Sequence, residues 1–323
     1  MGLERITEPI GNELEEFREY FRNAMKSKIA FVDFIARYLV KQKGKKIRPT
    51  LVLLTAKACG GINEHSFRGA SLVEILHTAT LIHDDVIDDA DTRRGLASIN
   101  AVWKNKIAVL MGDYLLAKGL LISLDNDEFK FLKIISDAVR RMSEAEILQT
   151  AKIRRLDINE KTYLQIISDK TASLLSTCCQ IGATSATNDQ DILRAMKDYG
   201  ENVGMVFQLR DDMLDYVGRK SITGKPTGLD VKGKKLTLPL IYSMEKAPSS
   251  QGKQILRIIK NGATRRELES VVEFAHEFGG IDYTRRKAAE YSERAVSALQ
   301  RLDATPAKIS LGDFVSFVME REK

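Results

Sequence analysis

The sequence predicts an all-α protein, and three observations carry that prediction. Only 6 prolines interrupt 323 residues, so few positions forbid a helix interior. Apolar residues recur at helical spacing over long stretches. The apolar/polar alternation of a half-buried strand is scarce throughout. No linker rich in Ser, Gly or Pro divides the chain, and no short fixed-period repeat is visible, so one helical domain spanning residues 1–323 is expected.

In order, the spacing predicts helices over 12–26, 30–41, 48–59, 64–89, 106–124, 128–152, 160–186, 190–217, 237–244, 266–277, 279–302 and 312–321. Between the second and third, Lys45 and Arg48 flank a turn, and Pro49 suits a first helical turn. The helix over 64–89 has an apolar stripe of Leu72, Ile75, Leu76, Ala79, Ile82 and Val86, with His77, Asp84 and Asp88 on another stripe. Glu146 and Gln149 share a face of the helix over 128–152. Small residues such as Ser176, Gly182 and Ala183 in the 160–186 helix allow close helix approach. In the 190–217 helix Val203, Val206, Phe207, Leu214 and Val217 form the core side, opposite Gln208, Asp211, Asp212 and Asp215. Residues 218–239, rich in Gly and Lys, break the pattern and read as a loop whose lysines can close on a phosphate.

Composition narrows the class. Hydrophobic residues at 44% supply a core, and charged residues at 29% argue against an integral membrane protein. No apolar run long enough to span a bilayer is expected, and the start MGLERITEPIGNELEEF lacks a signal region. Three cysteines, two of them adjacent at Cys178 and Cys179, make neither a disulfide framework nor a zinc spacing, so a cytoplasmic setting is the expectation. A net charge of +6 permits an anionic partner. The basic run over 41–48 has no interleaved aromatics and matches no nucleic-acid motif, so no nucleic-acid partner is expected.

The chemistry concentrates in 83–95, HDDVIDDADTRRG. On a helix Asp84 and Asp88 share a face, about 5–6 Å apart at Cβ. Two carboxylates that close repel each other, but they suit a hard divalent cation: Mg²⁺ is commonly held by one or two carboxylates and substrate phosphate oxygens. Arg93 and Arg94 follow, and arginine suits phosphate. A lone DDxxD is most often a solvated helix end, expected by chance in roughly one chain of this size in fifteen. Here Asp211, Asp212 and Asp215 repeat the spacing in FQLRDDMLDY. Two chance copies are roughly a one-in-several-hundred event.

These segments together resemble the trans-prenyl diphosphate synthases. The resemblance is carried by GKKIRP at 44–49, HTATLIHDDVIDDADTRRG at 77–95, GDYLLA at 112–117, KT at 170–171, FQLRDDMLD at 207–215 and the GK…D…K-x-TLP loop ending at Pro239. It implies a large all-α bundle of the isoprenoid synthase type around a deep central cavity, working as a homodimer. Asp84, Asp85, Asp88, Asp211, Asp212 and Asp215 would hold up to three Mg²⁺ around an allylic diphosphate. Arg93, Lys170, Thr171, Gln208, Lys225 and Lys235 would grip that diphosphate, with Lys235 preferred to Lys232 or Lys234 because it stands two residues before Thr237. Lys45, Arg48, His77 and Arg94 would bind isopentenyl diphosphate. The implied catalytic set is Asp84, Asp85, Asp88, Lys170, Asp211, Asp212 and Lys225.

Metals and cations would stabilise the departing diphosphate, a dry apolar cavity would protect the allylic cation, and the released diphosphate would serve as base. Short-product relatives often place bulky aromatics four and five residues before the first acidic motif. Thr80 and Ala79 stand there in this chain. Both are small and expected to face the cavity, which points to a long product in the quinone side-chain range, with Met142 and Val139 as candidate floor. The competing readings are a short-chain (farnesyl or geranylgeranyl) synthase, a terpene cyclase and a non-catalytic partner subunit. The second acidic motif and the Lys45, Arg48 and His77 set argue against a cyclase, and the presence of all six acidic residues and both arginines argues against a partner subunit. Peripheral membrane contact for release of an apolar product is a further expectation.

Overall fold

The computed structural model describes residues 2–41, 44, 46–93, 95–217 and 228–321, and among them helix dominates. α1 (Leu3–Thr7) leads through a 3₁₀ turn into α2 (Gly11–Met25), α3 (Ala30–Lys41), α4 (Ile47–Cys59) and α5 (Glu64–Ile87). A small antiparallel hairpin, β1 (Thr92–Arg93) with β2 (Leu96–Ala97), precedes α6 (Ile99–Leu124). Next come α7 (Phe129–Arg155), α8 (Glu160–Ile167), α9 (Ser173–Ala186), α10 (Gln190–Val217), α11 (Leu229–Lys232) and α12 (Leu238–Lys246). The chain closes with α13 (Ser249–Asn261), α14 (Arg265–Glu277), α15 (Gly280–Ala298) and α16 (Pro306–Met319).

Side chains mark several starts. Asn63 accepts from the Ser66 N–H in a capping box at α5, and Thr264 with Glu267 does the same at α14. Ser98, Asn159 and Thr305 cap α6, α8 and α16.

The middle of the bundle is α9, buried almost all round. α4 and α10 pack on it, and α5 packs between α4 and α6. Small residues set these distances. A Cβ at Gly200 would lie 2.6 Å from Ser176 Cα, so α10 rests backbone to backbone on α9. Gly182 of α9 lies equally close to the Val52 carbonyl of α4. A second apolar cluster joins α8, the far half of α10 and α12 to α15. Between α4, α5, α7, α9 and α10 lies a hollow of about 480 Å³, where the central cavity was expected.

Several elements differ from expectation. The helix over 160–186 is two helices joined by a π-turn at Ser168–Ala172. α13 was missed because Pro248 and Gly252 hide an amphipathic segment whose Ile255 and Ile259 are buried. α16 begins at Pro306 rather than at 312; the Thr305 cap and the proline at its start are the signal. α6 begins at Ile99 rather than at 106, with a break at Lys104 (φ 71). The absence of an apolar span also needs correction. α6 is long and apolar enough to cross a membrane by length and composition, although it packs on α5.

Candidate active site

α5 presents two opposite faces. Leu72, Ile75, Leu76 and Ile82 are buried in the core. His77, Thr80, Leu81 and Asp84 line the hollow, opposite Met142 and Glu146 of α7 and with Arg48 of α4. Ala79 does not join them. It is 2% exposed, in the hydrophobic core. Five residues of helix amount to a rotation of about 500°, which leaves Ala79 roughly 140° from Asp84. Of the two small residues expected to face the cavity, only Thr80 does. Met142 lines the hollow and Val139 does not.

Asp84 is exposed to solvent at the wall of the hollow, yet its carboxyl is pushed above the ordinary range by desolvation and then by Glu146, with Lys170 opposing. A carboxylate so disfavoured in its charged form gains from a cation. Asp88 stands one turn on, exposed, as the C-cap of α5. Asp85 behaves differently. It is 3% exposed and turned away from this hollow. Arg93 Nε donates to its Oδ1 at 2.7 Å, and a second Arg93 nitrogen binds the same oxygen. The chain reverses just after α5, at Asp89 (φ 46) and with the Ala90 N–H donating to the Asp85 carbonyl at 2.9 Å, which brings Arg93 back to Asp85. So the structure pairs Asp85 and Arg93, expected on a metal and on a diphosphate, with each other.

The second acidic motif lies on α10 beside a smaller hollow of about 240 Å³, lined by Lys170, Thr171, Gln208, Asp212, Asp230 and Lys235 among others. Lys170 and Thr171 also line the larger hollow, so Asp84 and Asp212, one acid from each motif, stand on hollows that share the π-turn as a wall. That turn is a five-residue π-bulge, a local widening of the helix of a kind often found at functional sites. Lys170 Nζ donates to Gln149 Oε1 at 2.7 Å and forms an ion pair with Glu146. Thr171 Oγ1 donates to Gln208 Oε1 at 2.8 Å, and Gln208 Nε2 donates to Asp212 Oδ1 at 2.7 Å.

Asp212 reaches the wall of this hollow but is 4% exposed. Its second oxygen accepts from the buried Tyr163 hydroxyl at 2.5 Å. Burial, and then Asp230, push its carboxyl up to about 7, against the pull of the Tyr163 and Gln208 hydrogen bonds. Asp215 Oδ2 accepts from the Asp230 N–H at 3.0 Å. Asp211 Oδ1 accepts from Arg321 at 3.0 Å; the Arg321 guanidinium also lies 4.8 Å over the Phe207 ring, and its carbonyl accepts from Arg210.

Among the three candidate loop lysines, Lys232 is exposed and does not line the hollow, while Lys234 and Lys235 both line it; Lys234 Nζ donates to the Lys260 carbonyl. Lys235 also draws the raised Asp230 carboxyl back down. Lys45, Arg94 and Lys225 lie outside the described residues. The sequence reading missed Tyr163, which lies 49 positions from its partner and has no short-range signature. It also left Asp230, legible as the acid within the loop pattern, out of the site residues.

No three ligating side chains converge into a ready cage among the described residues. That suits Mg²⁺, which keeps waters and takes phosphate oxygens from its substrate. The partly exposed Asp84 and Asp88, one turn apart beside a carboxylate-rich hollow, fit such an ion.

A family model described as polyprenyl synthetase matches residues 30–275. The octaprenyl diphosphate synthase of Escherichia coli (strain K12) is 33% identical over 323 residues, covering all of both chains. The all-trans-nonaprenyl-diphosphate synthase (geranyl-diphosphate specific) of Rhodobacter capsulatus is 34% identical over 98% of this chain and 97% of its own. Among solved structures, a polyprenyl synthase from Caulobacter crescentus CB15, complexed with calcium and isoprenyl diphosphate, superposes with a TM-score of 0.90 at 31% identity, over 100% of this chain and 98% of that one. With an acid of each motif on a hollow bordering the π-turn and these matches spanning the chain, it belongs to the polyprenyl synthetase family of prenyltransferases.

Proposed function

We propose that this enzyme condenses isopentenyl diphosphate with an allylic prenyl diphosphate, building a long all-trans polyprenyl diphosphate for a quinone side chain. The observation that carries the reading is that Asp84 on α5 and Asp212 at the acidic end of α10 line two neighbouring hollows that share Lys170 and Thr171 as a common wall. Asp84, Asp88, Asp211 and Asp215 would hold up to three Mg²⁺, which would offset the charge growing on the departing diphosphate.

The residues of the chain supply the rest. Lys170 and Lys235 grip the allylic diphosphate, Thr171 and Gln208 orient the wall beside it, and Arg48 and His77 take the diphosphate of the second substrate. The allylic C–O bond breaks with its electron pair leaving on oxygen. Leu174, Leu175 and Phe207 line the hollow and keep water from the cation. The double bond of isopentenyl diphosphate then forms the new C–C bond, and the proton lost from the adjacent carbon passes to the released diphosphate. Thr80 leaves room for a growing chain, and Met142 bounds the space opposite.

We read residues 1–323 as one domain, since Tyr291 and Met319 pack on both apolar clusters. A homodimer is supported by the exposed apolar side chains of α6, among them Leu110 and Leu121, 54% and 51% exposed. A cytoplasmic setting fits the three free cysteines. The same exposed apolar surface is compatible with peripheral membrane contact during product release. The test is incubation of purified protein with labelled isopentenyl diphosphate, a geranyl or farnesyl primer and Mg²⁺, followed by chromatographic sizing. Labelled long chains that disappear on adding EDTA are expected; no incorporation of label would sink the reading.

A further inference from the structure

One polar network lies behind the site rather than on it. Arg141 of α7 donates from Nε to Asp169 Oδ1 at 2.6 Å and from Nη2 to Glu201 Oε1 at 2.7 Å. Nη2 also reaches Ser168 Oγ at 3.1 Å, and Nη1 reaches Glu201 Oε2 at 3.3 Å. Ser168 Oγ donates to Glu201 Oε1 at 2.6 Å, and Gln165 Nε2 donates to Asp169 Oδ2 at 2.5 Å. The three charged side chains are mostly buried, at 20% for Arg141, 17% for Asp169 and 25% for Glu201. Neither Arg141 nor Glu201 lines either hollow.

The network is tied to one place. Ser168 and Asp169 are the first two residues of the π-turn, and the next two are Lys170 and Thr171. One half of the turn is therefore held from behind while the other half faces the hollows. A slip of one residue along a helix rotates a side chain by about 100°, which would take Lys170 off Gln149 and Thr171 off Gln208. α7 holds both halves, since Arg141 grips Asp169 while Glu146 and Gln149 of the same helix receive Lys170. Glu201 lies on α10, the helix of the second acidic motif, so the same guanidinium also ties that helix to the turn. Two buried acids on one arginine leave a net negative charge, an arrangement apolar packing would generally match or better for stability alone.

We propose that Arg141 is a positioning residue for the allylic diphosphate site: by bridging Asp169 and Glu201 it locks the π-turn in the rotation that delivers Lys170 and Thr171 to the cavity between α5 and α10. The inference rests on the reading that Lys170 grips the allylic diphosphate.

The test is steady-state kinetics on the full-length enzyme with Mg²⁺, comparing Arg141→Met, Arg141→Lys, Lys170→Met and the Arg141→Met/Lys170→Met double variant. Arg141→Met is expected to raise KM for the allylic diphosphate about tenfold while KM for isopentenyl diphosphate moves less than about twofold. In the Lys170→Met background the same change should add less than about twofold, because two residues acting through one contact are not additive. Arg141→Lys keeps the charge but loses the two-sided fork, and should recover only part of the loss. Where Arg141→Met does not accumulate folded, Glu201→Gln, which keeps an acceptor for Ser168 and removes one bridged charge, should give the same split between the two substrates. A parallel rise of both KM values, or a full tenfold effect in the Lys170→Met background, overturns the positioning role. If Lys170→Met itself leaves the allylic KM unchanged, the reading of Lys170 fails and the inference goes with it.

Discussion

Asp212 offers a measurable consequence of burying an acid. Its carboxyl is pushed from the ordinary 3.8 up to about 7, first by burial and then by Asp230. In the unfolded chain it ionises near the ordinary value. The folded protein therefore holds a proton that the unfolded chain has already lost, and stability falls as pH rises from about 4 through about 7. The shift is roughly three units at ~1.36 kcal/mol each, a ceiling of ~4 kcal/mol. Asp212→Asn removes the ionisation and keeps an oxygen for the Tyr163 hydroxyl. Gln208 must turn its amide to offer an oxygen to the new NH₂, and the Thr171 hydroxyl can then accept instead of donate; that rearrangement costs on the order of 1 kcal/mol. Urea denaturation in EDTA should find Asp212→Asn more stable than wild type by ~2 kcal/mol at pH 8 and level with or below it at pH 4. Added Mg²⁺ should narrow the gap at pH 8 by stabilising the wild-type fold. A pH slope identical in the two proteins would refute the argument.

Other perturbations read the remaining parts of the site. Thr80→Tyr projects a ring into the hollow and should shift products to shorter chains, whereas Ala79→Tyr, in the packed core, should cost about 1–3 kcal/mol of stability; product sizing and thermal melts separate the two. Arg321→Ala frees Asp211 of a partly exposed cationic partner worth ~1 kcal/mol, so the Mg²⁺ concentration for half-maximal activity should fall about fivefold; an unchanged Mg²⁺ titration counts against a metal role for Asp211. Leu121→Asp, on the exposed apolar face of α6, should turn a dimer into a monomer on gel filtration; a monomeric wild type would remove the basis for that face as an interface.

Much of this architecture is legible in the chain because helices that bury one face must write it at helical spacing. α3 and α10 match the expected limits, and Asp84 and Asp212 line neighbouring hollows with Lys170 and Thr171 between them. What stayed hidden depends on tertiary partners. The π-turn has no residue signature, and only packing against α7 and α10 shows that 160–186 is not one helix. The Tyr163 hydroxyl and the Arg321 guanidinium meet their aspartates from far along the chain. The hairpin that carries Arg93 is four paired residues, too short to rise above the helical pattern around it.

The middle aspartates teach a different lesson, because their spacing already contained it. In a DDxxD helix the first and last acids share a face, while the second is turned by about 100° from the first. It cannot point where they point. In the first motif Asp85 uses that rotation to hold Arg93 and hence the hairpin that follows α5. In the second, Asp212 uses it to collect Tyr163 and Gln208, and through Gln208 the hydroxyl of Thr171. Each middle carboxylate thus fastens its helix to its neighbours, Asp85 away from the larger hollow and Asp212 at the wall of the smaller one. In the proposed reaction the distance between the two helices would set how well diphosphate and metal charges are matched, and the inner acids would act on catalysis through that distance. Losing one should therefore degrade both substrates' turnover together, unlike the one-sided loss expected when the π-turn is freed from Arg141.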